Sequence, residues 1–284
     1  MTPVGIVGLG LLGSAVAARL HAAGHAVIGH DLVAERKGAL EALGGHAVES
    51  AAAVAEAADP ICVVLPSLSA VEDVVRGLAA TARDRTVVQM STISPALAER
   101  LARECAQRGV DFLDCPISGT SGMVARGDGI IFVGGEHAVY ARWRPLLETI
   151  LPRAVHVGIA GQAMVLKLVA NLLVALHSAA AAEALAMVER AGLDMTQALE
   201  LLKASAATSR MLDVRGPLIV KRDFPAQMKL DLFMKDLHLI QDAARALDTP
   251  VPLTDVAERL YAAAQRAGHG GEDLAVVVTA LARR

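Results

Sequence analysis

Aromatic side chains are nearly missing from this chain, which has four Phe, two Tyr and one Trp among 284 residues. So few rings leave no stacking platform for nucleobases. An excess of basic charge is lacking too: 27 Lys and Arg face 30 Asp and Glu, for a formal net charge of -3. Without a positive surface, the phosphate backbone of a nucleic acid finds no partner, and no nucleic-acid binding is expected. Cysteines number only three, Cys62, Cys105 and Cys115, and none has metal-ligand spacing. That excludes a cysteine-held metal centre and predicts reduced thiols in a cytoplasmic protein. No basic region precedes an apolar run at the N-terminus, the first Lys or Arg being Arg19, so no secretory signal is predicted.

What is abundant is aliphatic, in a chain that is 54% hydrophobic. Alanine and valine suit close helix packing and a parallel sheet buried on both faces. The first half alternates strand-like segments ("VGIVGLG", "HAVIGHD", "ICVVLP", "RTVVQMST", "VDFLDCPIS", "GIIFVGG") with helical ones such as 14–23, 69–82 and 95–108. From about residue 163 the strand pattern stops. Alanine-rich helical stretches follow at 163–191, 195–206, 226–246, 253–267 and 272–282, with "AGLD", "RGP" and "LDTPVP" as punctuation. Lys167 is the one charged Lys, Arg, Asp or Glu between Ala154 and Ala182. Polar Gln162, Asn171, His177 and Ser178 interrupt the run, which predicts a buried helix and no membrane span.

Gly8, Gly10 and Gly13 form G-x-G-x-x-G directly after the first strand and at the start of a helix. In that setting the first glycine permits the tight turn, the second lets a pyrophosphate approach the backbone, and the third lets helix and strand pack closely. The loop residues Leu9, Leu11 and Leu12 then belong to the cofactor site with the glycines, because a helix N-terminus offers free N–H groups to phosphate. Asp31 ends the second strand, 18 residues after Gly13. A carboxylate there suits an adenosine ribose and repels a 2'-phosphate, so NAD is expected over NADP, although Arg36 and Lys37 lie nearby. The whole pattern predicts an α/β fold. A Rossmann-type doubly wound, mostly parallel sheet occupies 1–162, and a long interdomain helix (163–191) opens an all-α C-terminal domain, 163–284, for substrate binding and oligomerisation.

The apolar stretch "VLKLVANLLVAL" poses a problem, because it carries Lys167 and Asn171 four residues apart. On a helix they share one face, and a buried ammonium without compensation costs several kcal/mol. One explanation is a lysine whose stem packs while its head reaches water. Another is a buried polar pair that a substrate completes.

Several ordered segments resemble the β-hydroxyacid dehydrogenase family. "GIVGLGLLGSAVAARLHAAGHAV" is similar to its cofactor loop, and "VVLPS" and "STISP" to two further cofactor segments. "DCPISGTSGMVARGDGIIFVGG" resembles its substrate segment, "GIAGQAMVLKLVANLL" its catalytic-lysine stretch and "MKLDLFMKDL" its C-terminal cofactor contact. The resemblance implies Lys167 as catalytic acid/base, Asn171 as its substrate-orienting neighbour, and Ser118 and Gly119 as ligands of a substrate carboxylate. It also implies Leu65, Pro66, Thr92 and Lys235 as cofactor contacts, with Asp236 following Lys235. Thr120 stands where the family usually has glycine, so its hydroxyl is a further substrate-binding candidate; Ala163 and Met228 are two other departures. Hydride transfer to a carbonyl leaves an alkoxide, which needs a proton donor within about 2.6–3.2 Å. The Lys167 ammonium answers that need.

The expected activity is hydride transfer between NAD(H) and a small 3-hydroxy acid or its semialdehyde. Competing readings are an imine reductase and a non-catalytic dinucleotide-binding scaffold, and the presence of Lys167 argues against both. Partners are expected to be a small carboxylate substrate and further copies of the chain, as a homodimer or homotetramer. No metal is expected.

Overall fold

The computed structural model describes residues 2–281. By its internal packing the chain divides into two compact units, Met1–Lys167 and Leu168–Arg284. Among the described residues the first unit has nine strands in one sheet. They are β1 (Val4–Val7), β2 (Val27–His30), β3 (His46–Ala47), β4 (Ile61–Val63), β5 (Thr86–Gln89), β6 (Asp111–Asp114), β7 (Ile117–Ser118), β8 (Ile130–Gly135) and β9 (Ala154–Gly158). Its helices are α1 (Leu11–Ala22), α2 (Ala34–Ala42), α3 (Ala51–Ala57), α4 (Leu68–Thr81), α5 (Pro95–Ala106), α6 (Ser121–Ala125) and α7 (His137–Ile150).

Strands run β3-β2-β1-β4-β5-β6, all parallel, and β8 joins antiparallel to β6 and β7 with β9 parallel on β8. The α/β, mostly parallel expectation holds, and the order of the first six is the dinucleotide-binding one. Alternation builds two cores. Val4, Ile6, Cys62 and Val88 face one way, with Val16 and Leu20 of α1 and Leu147 of α7. Val7, Ile61, Val63 and Val87 face the other, with Val54 of α3, Val71 and Val75 of α4, and Leu101 and Cys105 of α5. The single strand read over "VDFLDCPIS" is broken into β6 and β7. Pro116 between them has no N–H to give a sheet ladder.

The long helix α8 runs Gln162–Arg190, and the unit boundary falls within it. It is followed by α9 (Met195–Ala204), α10 (Arg210–Lys221), α11 (Leu230–Ala246), α12 (Pro252–Ala264), a π-helical turn Gln265–His269 and a 3-10 helix Leu274–Leu281. α10 was not expected, because Gly216 and Pro217 read as a break. Tertiary packing overrides that local signal: Ser209 caps the helix by accepting the Leu212 N–H, and Gly216 lies so close to Leu199 of α9 that a Cβ would stand 2.5 Å from Leu199 Cδ1. α8 is long and apolar enough to span a membrane, yet its Ala175, Ala182 and Leu185 are buried, as are Phe233, Leu237 and Tyr261 of the second unit. The Tyr261 hydroxyl donates to the Ala175 carbonyl at 2.9 Å, pinning α12 to α8. Arg215 and Asp273, both almost wholly buried, pair at 3.1 Å.

Candidate active site

The three glycines of the first loop are required for different reasons. Gly8 has φ +99, and a Cβ there would stand 2.1 Å from the Val64 carbonyl oxygen. At Gly13 it would stand 1.9 Å from the carbonyl oxygen of Gly8 itself. At Gly10 it would meet nothing within 4 Å. Backbone packing therefore explains Gly8 and Gly13, whereas at Gly10 the chain leaves open space that a side chain would fill. Gly10 is also the N-cap of α1 and brings no side chain to the helix's first N–H groups. Those groups, at Leu11 and Leu12, are what a phosphate would use.

Asp31, directly after β2, is buried and clasps this loop. Its Oδ2 accepts the Leu9 N–H at 2.7 Å, its Oδ1 accepts the Val33 N–H at 2.9 Å, and Arg36 Nη1 lies 3.3 Å from both oxygens. Burial pushes the Asp31 carboxyl up, but the two N–H groups and the Arg36 charge outweigh it and hold the group below its ordinary value. These four contacts take up the carboxylate's roughly four acceptor sites, the two longest being those of the half-exposed Arg36. Leu65 and Pro66 follow β4, and the Leu65 N–H donates to Ser91 Oγ at 2.8 Å, joining that turn to the segment after β5 that holds half-buried Thr92. Each turn then opens a capped helix, Ser67 accepting from Ala70 N–H and Ser94 from Leu97 N–H, both at 3.2 Å.

All these groups stand at the carboxyl ends of parallel strands, around the point between β1 and β4 where the strand order reverses. A dinucleotide fits them, on the open space at Gly10, the uncapped α1 and the Asp31 carboxylate. Among the described residues no group of three or more His, Cys, Asp or Glu side chains could hold a metal ion.

The predicted substrate segment leaves the same sheet. Ser118 ends β7, pairing with Ile130, and Gly119 follows close to the Asp128 carbonyl, where a Cβ would be 3.3 Å away. Thr120 is buried and caps α6, its Oγ1 accepting the Met123 N–H at 3.2 Å. The departure from glycine is thus accommodated by an ordinary extended backbone (φ -76), and the hydroxyl oxygen serves the helix.

Lys167 and Asn171 lie one turn apart on α8 and are both buried, 6% and 3% exposed, so a lysine head reaching water is not what is found. Asn171 Nδ2 donates to Asp236 Oδ2 at 2.8 Å, and Lys235 Nζ stands 3.0 Å from the other Asp236 oxygen. Asp236, itself buried, therefore joins Asn171 to Lys235 within the second unit. Sequence reasoning noted Asp236 only as the neighbour of Lys235; its pairing with Asn171, 65 residues away, has no local signal.

Asp114 ends β6. It is also fully buried, accepting the N–H groups of Gly161 at 3.1 Å and Met164 at 3.2 Å on Oδ2. Burial pushes its carboxyl up to about 7, against the pull of those two N–H groups. Arg142 and Arg144 are surface ion-pair residues, bonded to Asp111 and Glu148. Trp143 between them turns inward: its indole packs on the core and donates to Thr86 Oγ1 at 2.8 Å.

Fold and site together define a dinucleotide-dependent oxidoreductase class. The family model for the NAD binding domain of 6-phosphogluconate dehydrogenase matches residues 3–161, and that for the NAD-binding domain of NADP-dependent 3-hydroxyisobutyrate dehydrogenase matches 161–281. The chain is 35% identical to 2-hydroxy-3-oxopropionate reductase of Escherichia coli K12, over 98% of its own length and 96% of the relative's. A crystal structure of 3-hydroxyisobutyrate dehydrogenase from Salmonella typhimurium superposes with a TM-score of 0.91 at 31% identity, covering 98% of this chain and 99% of that one. A structure of Psf3 with NADP+ and 2-OPP gives a TM-score of 0.91 at 29% identity, covering 98% and 100%. The chain belongs to the β-hydroxyacid dehydrogenase family. An imine reductase from Myxococcus stipitatus, at 19% identity and a TM-score of 0.66, shares the fold alone.

Proposed function

We propose that the protein transfers a hydride between NAD(H) and a small 3-hydroxy acid or the corresponding semialdehyde, with Lys167 as general acid/base. The observation that carries this reading is the buried pair on α8, Lys167 and an Asn171 whose amide is oriented by Asp236. A bound nicotinamide supplies or accepts the hydride. In reduction, the Lys167 ammonium gives a proton to the carbonyl oxygen as charge develops there; in oxidation the neutral amine takes it back. Because Asn171 donates one amide hydrogen to Asp236, its carbonyl oxygen and other hydrogen remain to hold a hydroxyl. Ser118 and Gly119 hold the substrate carboxylate, and Thr120 fixes the turn behind them. The glycine loop, Asp31, Leu65, Pro66, Thr92 and Lys235 hold the dinucleotide.

NAD is preferred in this reading because a 2'-phosphate would meet the Asp31 carboxylate, whose nearest cation, Arg36, is already paired with it. A phosphorylated substrate is disfavoured, since Arg215 is buried against Asp273 and Arg222 pairs with Glu189. Self-association is supported by an apolar stripe on α8, where Leu166, Val169, Leu173 and Met187 are left exposed. Three free, buried thiols fit a reducing, cytoplasmic setting.

The test is the nicotinamide absorbance change of purified protein with NAD and NADP against a panel of short 3-hydroxy acids and their semialdehydes, with Lys167→Ala beside it. Turnover of one acid with NAD, lost by at least about 10²-fold in the variant, is expected. Dinucleotide binding with no turnover of any acid would move the reading to imine substrates or a binding role.

A further inference from the structure

Residues 114–120 run from the end of β6 through β7 to the start of α6. Asp114 closes β6, Ser118 closes β7, and Gly119 and Thr120 follow. Lys167 lies in the second turn of α8, and Gly161, just ahead of that helix, comes 47 residues after Asp114. One side chain joins the two segments. Through Oδ2, Asp114 accepts the N–H of Gly161, just ahead of α8, and the N–H of Met164, in its first turn. A helix cannot satisfy its own first N–H groups, so α8 takes its cap from a strand of the sheet. The carboxyl is fully buried, and Oδ1 has no hydrogen-bond partner. Gly161 itself has φ +93, with Glu99 and the Pro95 carbonyl so near that a Cβ would come within 3.1 Å of both. The start of α8 is therefore held from two sides.

We propose that Asp114 is a positioning residue for the reaction: its carboxyl sets the first turn of α8, and with it Lys167, in register with the Ser118–Thr120 segment that ends the same run. This rests on the reading of Lys167 and Ser118–Thr120 as substrate-facing groups. The leverage is geometric. A cap displaced by one residue turns the helix by about 100°, and a misplacement of about 1 Å at a reacting group costs on the order of 10²-fold in rate. The dinucleotide loop follows β1, three strands along the sheet from β6, and stands outside this linkage.

The experiment compares the full-length wild type with Asp114→Ala, Asp114→Asn and Lys167→Ala, measuring kcat, KM and NADH affinity by nicotinamide fluorescence. Asp114→Ala is expected to lose roughly 10- to 100-fold in kcat/KM, with kcat falling, while NADH affinity stays within about twofold. Asp114→Asn, whose amide oxygen can accept the same two N–H groups, is expected to recover activity to within about threefold of wild type. Should Asp114→Ala not fold, Asp114→Ser, too short to reach both N–H groups, carries the same expectation. Equal losses in the alanine and asparagine variants, a parallel loss of NADH affinity, or wild-type kcat/KM in a folded Asp114→Ala would each overturn the positioning role. Near-native turnover in Lys167→Ala would instead overturn the underlying site reading, so the two failures are separable.

Discussion

Replacing Asp114 by asparagine removes an ionisable group from a fully buried position while keeping its shape and its capping oxygen. The carboxyl is pushed up from the ordinary 3.8 to about 7 by burial, with two backbone N–H bonds only partly offsetting it. A folded value above the unfolded one means that the protonated form favours the fold. That contribution is complete below about pH 3.8, shrinks as pH rises, and is gone once pH passes about 7. The gap, at about 1.4 kcal/mol per pH unit, sets a ceiling of roughly 4 kcal/mol. Asparagine is neutral throughout and avoids this loss. The difference in stability between Asp114→Asn and wild type should therefore climb in favour of the variant from about pH 4 to about pH 7, by about 2–4 kcal/mol, and then level off. Thermal melts at half-unit pH steps from about 4.5 to 8.5 measure it, and roughly 2–4 °C per kcal/mol puts the climb at about 4–16 °C. The slope is the test. A difference flat with pH, or one that turns against the variant as pH rises, refutes the claim that burial dominates at this carboxyl.

The glycine loop gives a paired prediction: Gly10→Ala should leave the melting temperature within about 1 °C of wild type yet weaken NADH binding, because its Cβ meets only open space, whereas Gly13→Ala, aimed at the Gly8 carbonyl, should destabilise by several degrees. Unchanged NADH affinity in Gly10→Ala would remove the dinucleotide from that space. Asp31→Ser should raise kcat/KM for NADP relative to NAD by about tenfold or more, consistent with one charge contact; an unchanged ratio would place discrimination elsewhere. Asp31 is held below its ordinary value in the fold, so it contributes stability above about pH 3.8 that is lost as pH falls through its folded value. The same variant should accordingly lose its stability deficit toward strongly acid pH in the melts. Asp273→Asn leaves Arg215 buried without its counter-charge and should cost about 3–5 kcal/mol, read by denaturant unfolding; a loss below about 1 kcal/mol would mean that water reaches the guanidinium.

The features legible in the sequence are those set by local physics. Glycine spacing after an apolar strand specifies a turn whatever surrounds it, and alternating strand and helix patterns specify a parallel sheet because parallel strands need crossovers. The Lys167 and Asn171 pair stood out because a polar face on an apolar helix needs a compensating environment. Where the local signal and the packing disagree, the packing wins. Gly216 and Pro217 read as a break, yet α10 runs through them because Gly216 packs against Leu199. Trp143 sits between two arginines but is drawn inward to Thr86.

The sequence by itself determined the cofactor loop, the sheet class and the polar residues buried in α8, since each follows from propensities and periodicities within a few residues. Only the tertiary structure decided which groups those residues answer to. Asp236 beside Asn171, Asp273 beside Arg215 and Asp114 beneath the start of α8 are partners 65, 58 and 47 residues apart. Hydrogen bonds and ion pairs act over a few ångströms in space, and chain folding alone brings such distant positions within that range.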